Sequence, residues 1–134
     1  MRAFFIVPSA LMLSASGALA SPCPATVTAD EKAAGSAAGA ASVEHKFRYV
    51  SFFDGDPKDQ ADLAPDDAGP NPTKLRQSWE LMRSAGRPIT MVCRYHDTDK
   101  TVVDVVPLNI KSCTLTGDMD AQGNVIGSPT LECK

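Results

Sequence analysis

Apolar and polar positions alternate most regularly from Ile89 to Val106, ITMVCRYHDTDKTVVDVV. Alternation with a period of two sends successive side chains to opposite faces of a strand, so this stretch predicts a hairpin. In the first arm Met91, Cys93 and Tyr95 point one way, and Thr90, Val92, Arg94 and His96 the other. In the second arm Val103 and Val105 share a face and Asp104 lies opposite. The polar run Asp97-Thr98-Asp99-Lys100 supplies the turn, because such side chains bond nearby backbone. Pairing Cys93 with Val105 and Tyr95 with Val103 gathers the apolar sets and sets Arg94 across from Asp104. A slip of one residue would bury Asp104. As an exposed cross-strand pair, Arg94–Asp104 would contribute a few tenths of a kcal/mol, up to ~1, and reads as a register device.

The same period recurs elsewhere. Cys23-Pro-Ala-Thr-Val-Thr reads as a first strand with Cys23, Ala25 and Val27 on one face. Glu44–Phe53, EHKFRYVSFF, reads as a second, with Phe47, Tyr49 and Phe53 on one face and Glu44, Lys46 and Arg48 on the other. Its end turns apolar on both sides through Val50 and Phe52, which predicts burial in a chain with few aromatics. Leu75–Met82 is a strand with Leu75, Gln77, Trp79 and Leu81 alternating, or a short helix. Trp79 is its core anchor. Cys113–Thr116 and Pro129–Cys133 are the last two strands, joined by a loop over Gly117–Ser128. Between strands, Asp30–Ser42 is rich in alanine and glycine. Each glycine costs a helix about 1 kcal/mol, so a surface loop is expected there. Ser84–Pro88 is a turn, and Pro107–Ser112 a short connection. The pattern predicts an all-β fold: a small disulfide-bonded antiparallel β-sandwich or open barrel with long loops.

The main irregular segment is Asp54–Lys74. Pro57, Pro65, Pro70 and Pro72 exclude a regular helix or a central strand. Asp54, Asp56, Asp59, Asp62, Asp66 and Asp67 make it acidic. A calcium loop starting at Asp54 would need Gly at its sixth position and Glu at its twelfth, where this chain has Asp59 and Pro65. The aspartates therefore read as turn formers on a solvated loop, dispensable for folding and available for binding.

Arg2, an apolar run to Ala18 and the small-x-small Ala18-Leu19-Ala20 match a signal peptide over residues 1–20, cleaved after Ala20. Pro8, Ser14, Ser16 and Gly17 interrupt the run, which excludes a membrane span of roughly 20 residues. Residues 21–134 then form a single small β domain in the periplasm or outside the cell. The formal charge of −3, without a basic stripe, disfavours nucleic acid as a partner.

All four cysteines, Cys23, Cys93, Cys113 and Cys133, follow the leader, an even count that predicts two disulfides. Their wide spacing, with His45 and His96 isolated, argues against a structural metal, and no cofactor is expected. If the last two strands form a hairpin with Leu115 opposite Leu131, Cys113 meets Cys133. In a plain meander Cys93 and Cys113 would lie two strands apart, about 9–10 Å, beyond the bridging limit of ~7 Å. That favours Cys113–Cys133 with Cys23–Cys93. Cys93–Cys113 with Cys23–Cys133 stays open if Pro107–Ser112 crosses to a second sheet.

Several segments together carry a resemblance: Cys23-Pro-Ala-Thr-Val, Phe52-Phe53-Asp54-Gly55, Leu63-Ala64-Pro65-Asp66, Trp79, Val92-Cys93-Arg94-Tyr95, Pro107-Leu108, Cys113 and Cys133. The chain resembles an uncharacterised family of small exported Gram-negative bacterial proteins with four cysteines. That resemblance implies export and a disulfide-bonded β domain, and it transfers no catalytic residue.

Three roles remain. An enzyme, such as a hydrolase, lacks support: Ser51 and Ser78 have no glycine elbow, and neither His45 nor His96 has an orienting partner in sequence. A periplasmic binding or inhibitory module fits best, by analogy with lysozyme inhibitors and immunity proteins. Its acidic loop would suit a basic protein partner. A structural, envelope-associated protein is the other alternative.

Overall fold

The computed structural model describes residues 21–31, 41–83 and 86–134. The expected signal peptide, 1–20, and residues 32–40 of the Ala/Gly-rich stretch lie outside the described residues. The strands are β1 (Thr26–Glu31), β2 (Ala41–Asp54), β3 (Asp67–Ala68), β4 (Lys74–Glu80), β5 (Ile89–Tyr95), β6 (Thr101–Val105), β7 (Ser112–Met119) and β8 (Val125–Cys133). Among the described residues the helical content is one 3₁₀ turn, Pro57–Asp59. The strands form two antiparallel sheets, ordered β1-β2-β5-β6 and β3-β4-β7-β8, so the all-β expectation holds.

Between the sheets, Val50, Phe52, Cys93 and Tyr95 of the first meet Leu75, Trp79, Leu115 and Leu131 of the second in one apolar core. Phe52 meets Trp79 edge-on with ring centroids 5.1 Å apart. Leu75–Met82 resolves as a strand through Glu80, with Trp79 2% exposed.

β2 departs from simple alternation. Its register shifts between Phe47 and Tyr49, placing a bulge at Arg48. One extra residue reverses which side chains face inward. His45 and Phe47 are buried before the bulge, Val50 and Phe52 after it, while Tyr49 and Phe53 are only half-buried. The face expected to join Phe47, Tyr49 and Phe53 is therefore broken at Arg48.

The β5–β6 register also differs from the expected one. Cys93 faces Val102 rather than Val105, a shift of three residues, and Arg94 faces Thr101 rather than Asp104. An odd shift swaps the faces. Val102 packs on the core, and Val103 and Val105 are exposed. Contacts beyond the hairpin cause this. The Tyr95 hydroxyl donates to Pro24 O and the His96 N–H to Lys46 O, so the end of β5 stays with β2 and the turn begins late. Asp104 sits opposite Met91 at the sheet edge, and the proposed Arg94–Asp104 pair does not form.

β7 and β8 pair Leu115 with Leu131 and Cys113 with Cys133, the register that the apolar pattern requires. The hairpin is longer than expected. The strands run on to Met119 and from Val125, leaving only a short turn whose Asp120 carboxylate accepts the Gln122 and Asn124 N–H groups. Disulfides join Cys113 to Cys133, Cα atoms 4.1 Å apart, and Cys23 to Cys93, 5.7 Å apart. Pro107–Ser112 does cross between the sheets. The Arg83 guanidinium holds that crossing by donating to Val106 O, Pro107 O and Ile110 O.

Candidate functional site

The acidic segment starts where β2 ends. Asp54 pairs with Arg87 at 3.5 Å, and the Gly55 N–H donates to Pro88 O. Gly55 has φ +89, and the Arg87 guanidinium lies 3.1 Å from where a Cβ would stand, so only glycine suits this corner. The Asp56 carboxylate caps the 3₁₀ turn by accepting the Lys58 N–H at 2.9 Å. The chain then doubles back along β2. Asp54 N–H donates to Ala61 O, Leu63 N–H to Phe52 O, and Asp62 bridges Phe53. The Trp79 indole N–H donates to Leu63 O at 3.1 Å. Asp66 is held twice, its N–H donating to Ser78 O and its carboxylate accepting the Glu80 N–H. Asp67 opens β3 opposite Ser78.

This loop is not the detached, solvated excursion expected from composition. It satisfies backbone groups at the β2 edge and roofs Trp79, because the core beneath β2 needs covering on that side. The described side chains among its aspartates do not converge either. Asp54 and Asp66 are tied into the framework, and Asp56, Asp59 and Asp62 are exposed. Among the described residues no three His, Cys, Asp or Glu side chains approach closely enough to hold a metal ion.

The two histidines, isolated in sequence, are brought together. Phe47 pairs with Tyr95, and this sets His45 near His96. His45 Nδ1 lies 2.7 Å from His96 O, and His96 Nε2 lies 2.6 Å from Gly127 O. With Glu44, Lys46 and Asp97 they line an open cleft of about 320 Å³. No serine or cysteine lines it. Ser51 Oγ faces Arg94 and Ser78 Oγ faces Thr114, so neither candidate nucleophile meets a base there. Sequence reasoning missed this meeting because it depends on the β2–β5 register. Tyr49 donates to Gln77 across the two sheets, and burial, the largest cause, raises its hydroxyl above the usual phenol pKa.

The described residues form a β domain of two sheets stapled by two disulfides. Residues 40–134 match the family model described as type VI secretion system Tli immunity protein, and the chain belongs to that family. It is also similar to an uncharacterized 16.3 kDa protein of the trpG 5′ region of Azospirillum brasilense. The two are 27% identical over 142 residues, covering 96% of this chain and 93% of that protein. No solved structure matches the chain. The function expected from sequence, an inhibitory or immunity-type module without a known target, agrees with this membership. No helix among the described residues is long and apolar enough to cross a membrane.

Proposed function

We propose that the protein is an exported immunity module that protects its cell by binding a toxin delivered by type VI secretion. The family match over residues 40–134 carries this reading. Neutralisation is by occlusion, without chemistry on the toxin, and no metal or cofactor takes part. The leader over residues 1–20 directs export, and the two disulfides suit an oxidising periplasm. Docking uses the outward carboxylates Asp56, Asp59 and Asp62. Held on a loop pinned to β2 and Trp79, they present negative charge without a large ordering cost, and they steer a basic partner surface.

The test is competition between sister strains. Cells lacking this protein should be killed by parent cells with an active secretion system, and restored protein should rescue them. Asp56→Lys combined with Asp59→Lys and Asp62→Lys should fold and fail to protect. Survival of the deletion strain would overturn the immunity role. Full protection by the triple variant would move the docking surface elsewhere.

A further inference from the structure

β6 is an outer strand of the first sheet, and its exposed side is apolar. Val103 is 55% exposed and Val105 53%, both turned away from the core that Val102 and Val106 contact. The backbone phase is set by Val106, whose N–H donates to Ile89 O. In an antiparallel ladder the inward-bonding residues alternate, so Val102 and Asp104 also bond towards β5. The N–H and C=O groups of Thr101, Val103 and Val105 then face the open edge. Edges of this kind accept another strand unless charge, proline or a bulge blocks them. The strand TVVDV carries one charge and no proline. That charge, Asp104, covers the edge only locally, its carboxylate accepting the Val105 N–H at 2.8 Å.

From this edge we infer that two copies of the chain associate by antiparallel pairing of β6 with β6, about a two-fold axis at Val102. The sequence is self-complementary about that residue: Lys100 lies two positions before it and Asp104 two after. The axis places Lys100 of each copy opposite Asp104 of the other, and Thr101 opposite Val103. An axis at Asp104 would set the two carboxylates face to face, which is unfavourable for directly opposed like charges. An axis at Val103 leaves the charges only diagonal. Both charged side chains are exposed; Asp104 bonds the adjacent Val105 N–H and Lys100 reaches Thr28 O of β1, and each exchanges that one bond for the partner. The pairing joins two four-stranded sheets into one of eight and sets Thr101 of each copy beside Val103 of the other on the outer face. It is independent of the immunity reading, since the acidic residues assigned to the toxin lie on a different loop.

Sedimentation velocity on the disulfide-intact protein tests this, with thermal melts checking that each variant folds. A reversible monomer–dimer equilibrium is expected at about micromolar to hundred-micromolar concentration, given the small paired strand. Asp104→Lys or Lys100→Asp alone should weaken it about tenfold, since each change turns two attractive cross-strand pairs repulsive. The double swap should restore it. A protein that stays monomeric throughout overturns the inference and leaves the edge to a strand of another protein. A dimer indifferent to both reversals overturns the assignment to β6.

Discussion

Trp79 does two jobs that the sequence shows only in part. Its ring fills the space between the sheets against Phe52, and its indole N–H holds the acidic loop through Leu63 O. Trp79→Ala should cost ~3–5 kcal/mol in denaturant unfolding, as large aromatic truncations do. Trp79→Phe keeps most of the packing, loses the bond, and should cost about 1 kcal/mol for removing the donor of the half-buried Leu63 carbonyl. The tyrosines give a pH signature. Burial raises the hydroxyls of Tyr49 and Tyr95 above the usual phenol range. A raised folded-state pKa means that the contribution is full below the unfolded phenol pKa of about 10 and is lost as pH climbs through the folded value. Stability should therefore fall steeply in that alkaline window, and the fall should be shallower in Tyr49→Phe. Denaturation midpoints measured from neutral to strongly alkaline pH check this.

Among the elements, the acidic loop and the two staples set the balance. Replacing residues 57–66 by a Gly-Ser link removes the backbone partners of Asp54 and Phe52 and the roof over Trp79. Loop length alone costs only about 0.6 kcal/mol per doubling, but losing these contacts should cost several kcal/mol, at ~1 per net hydrogen bond plus exposed core. Neutralising Asp56, Asp59 and Asp62 to Asn should leave the midpoint within about 0.5 kcal/mol, apart from the Asp56 cap. The contrast separates the loop's structural part from its charged surface. The disulfides differ in the chain that they close, with sequence separations of 70 for Cys23–Cys93 and 20 for Cys113–Cys133. On the chain-entropy account they contribute about 4.4 and about 3.3 kcal/mol, so Cys23→Ala with Cys93→Ala should destabilise more than the other pair.

For the whole molecule, the arrangement is a pair of four-stranded sheets stapled by two disulfides. Mass spectrometry of the protein from a periplasmic extract should give Ser21 as its N-terminus. Retention of Met1 in the membrane fraction would contradict the leader. Export would also suit the staples, because disulfides persist in an oxidising compartment.

What the sequence determined by itself was local or compositional. Period-two alternation follows from backbone geometry within a strand, so Ile89–Tyr95 and the Leu115–Leu131 hairpin register could be read from the chain, while Leu75–Met82 stayed open between strand and helix. The even count of cysteines and the prolines of the acidic segment were equally visible. The tertiary structure alone decided phase and partnership. In TVVDVV apolar residues stand on both faces, and only the anchoring of Tyr95 to Pro24 and of His96 to β2 made Val102 the inward one. Arg48 bulges because Phe47 and Phe52 must both reach one core from a single strand, a demand that no window of sequence contains. The acidic loop looked independent since its composition is polar. It is structural because the open side of β2 and the indole of Trp79 needed hydrogen-bond partners, and those needs arise only once the sheets have met.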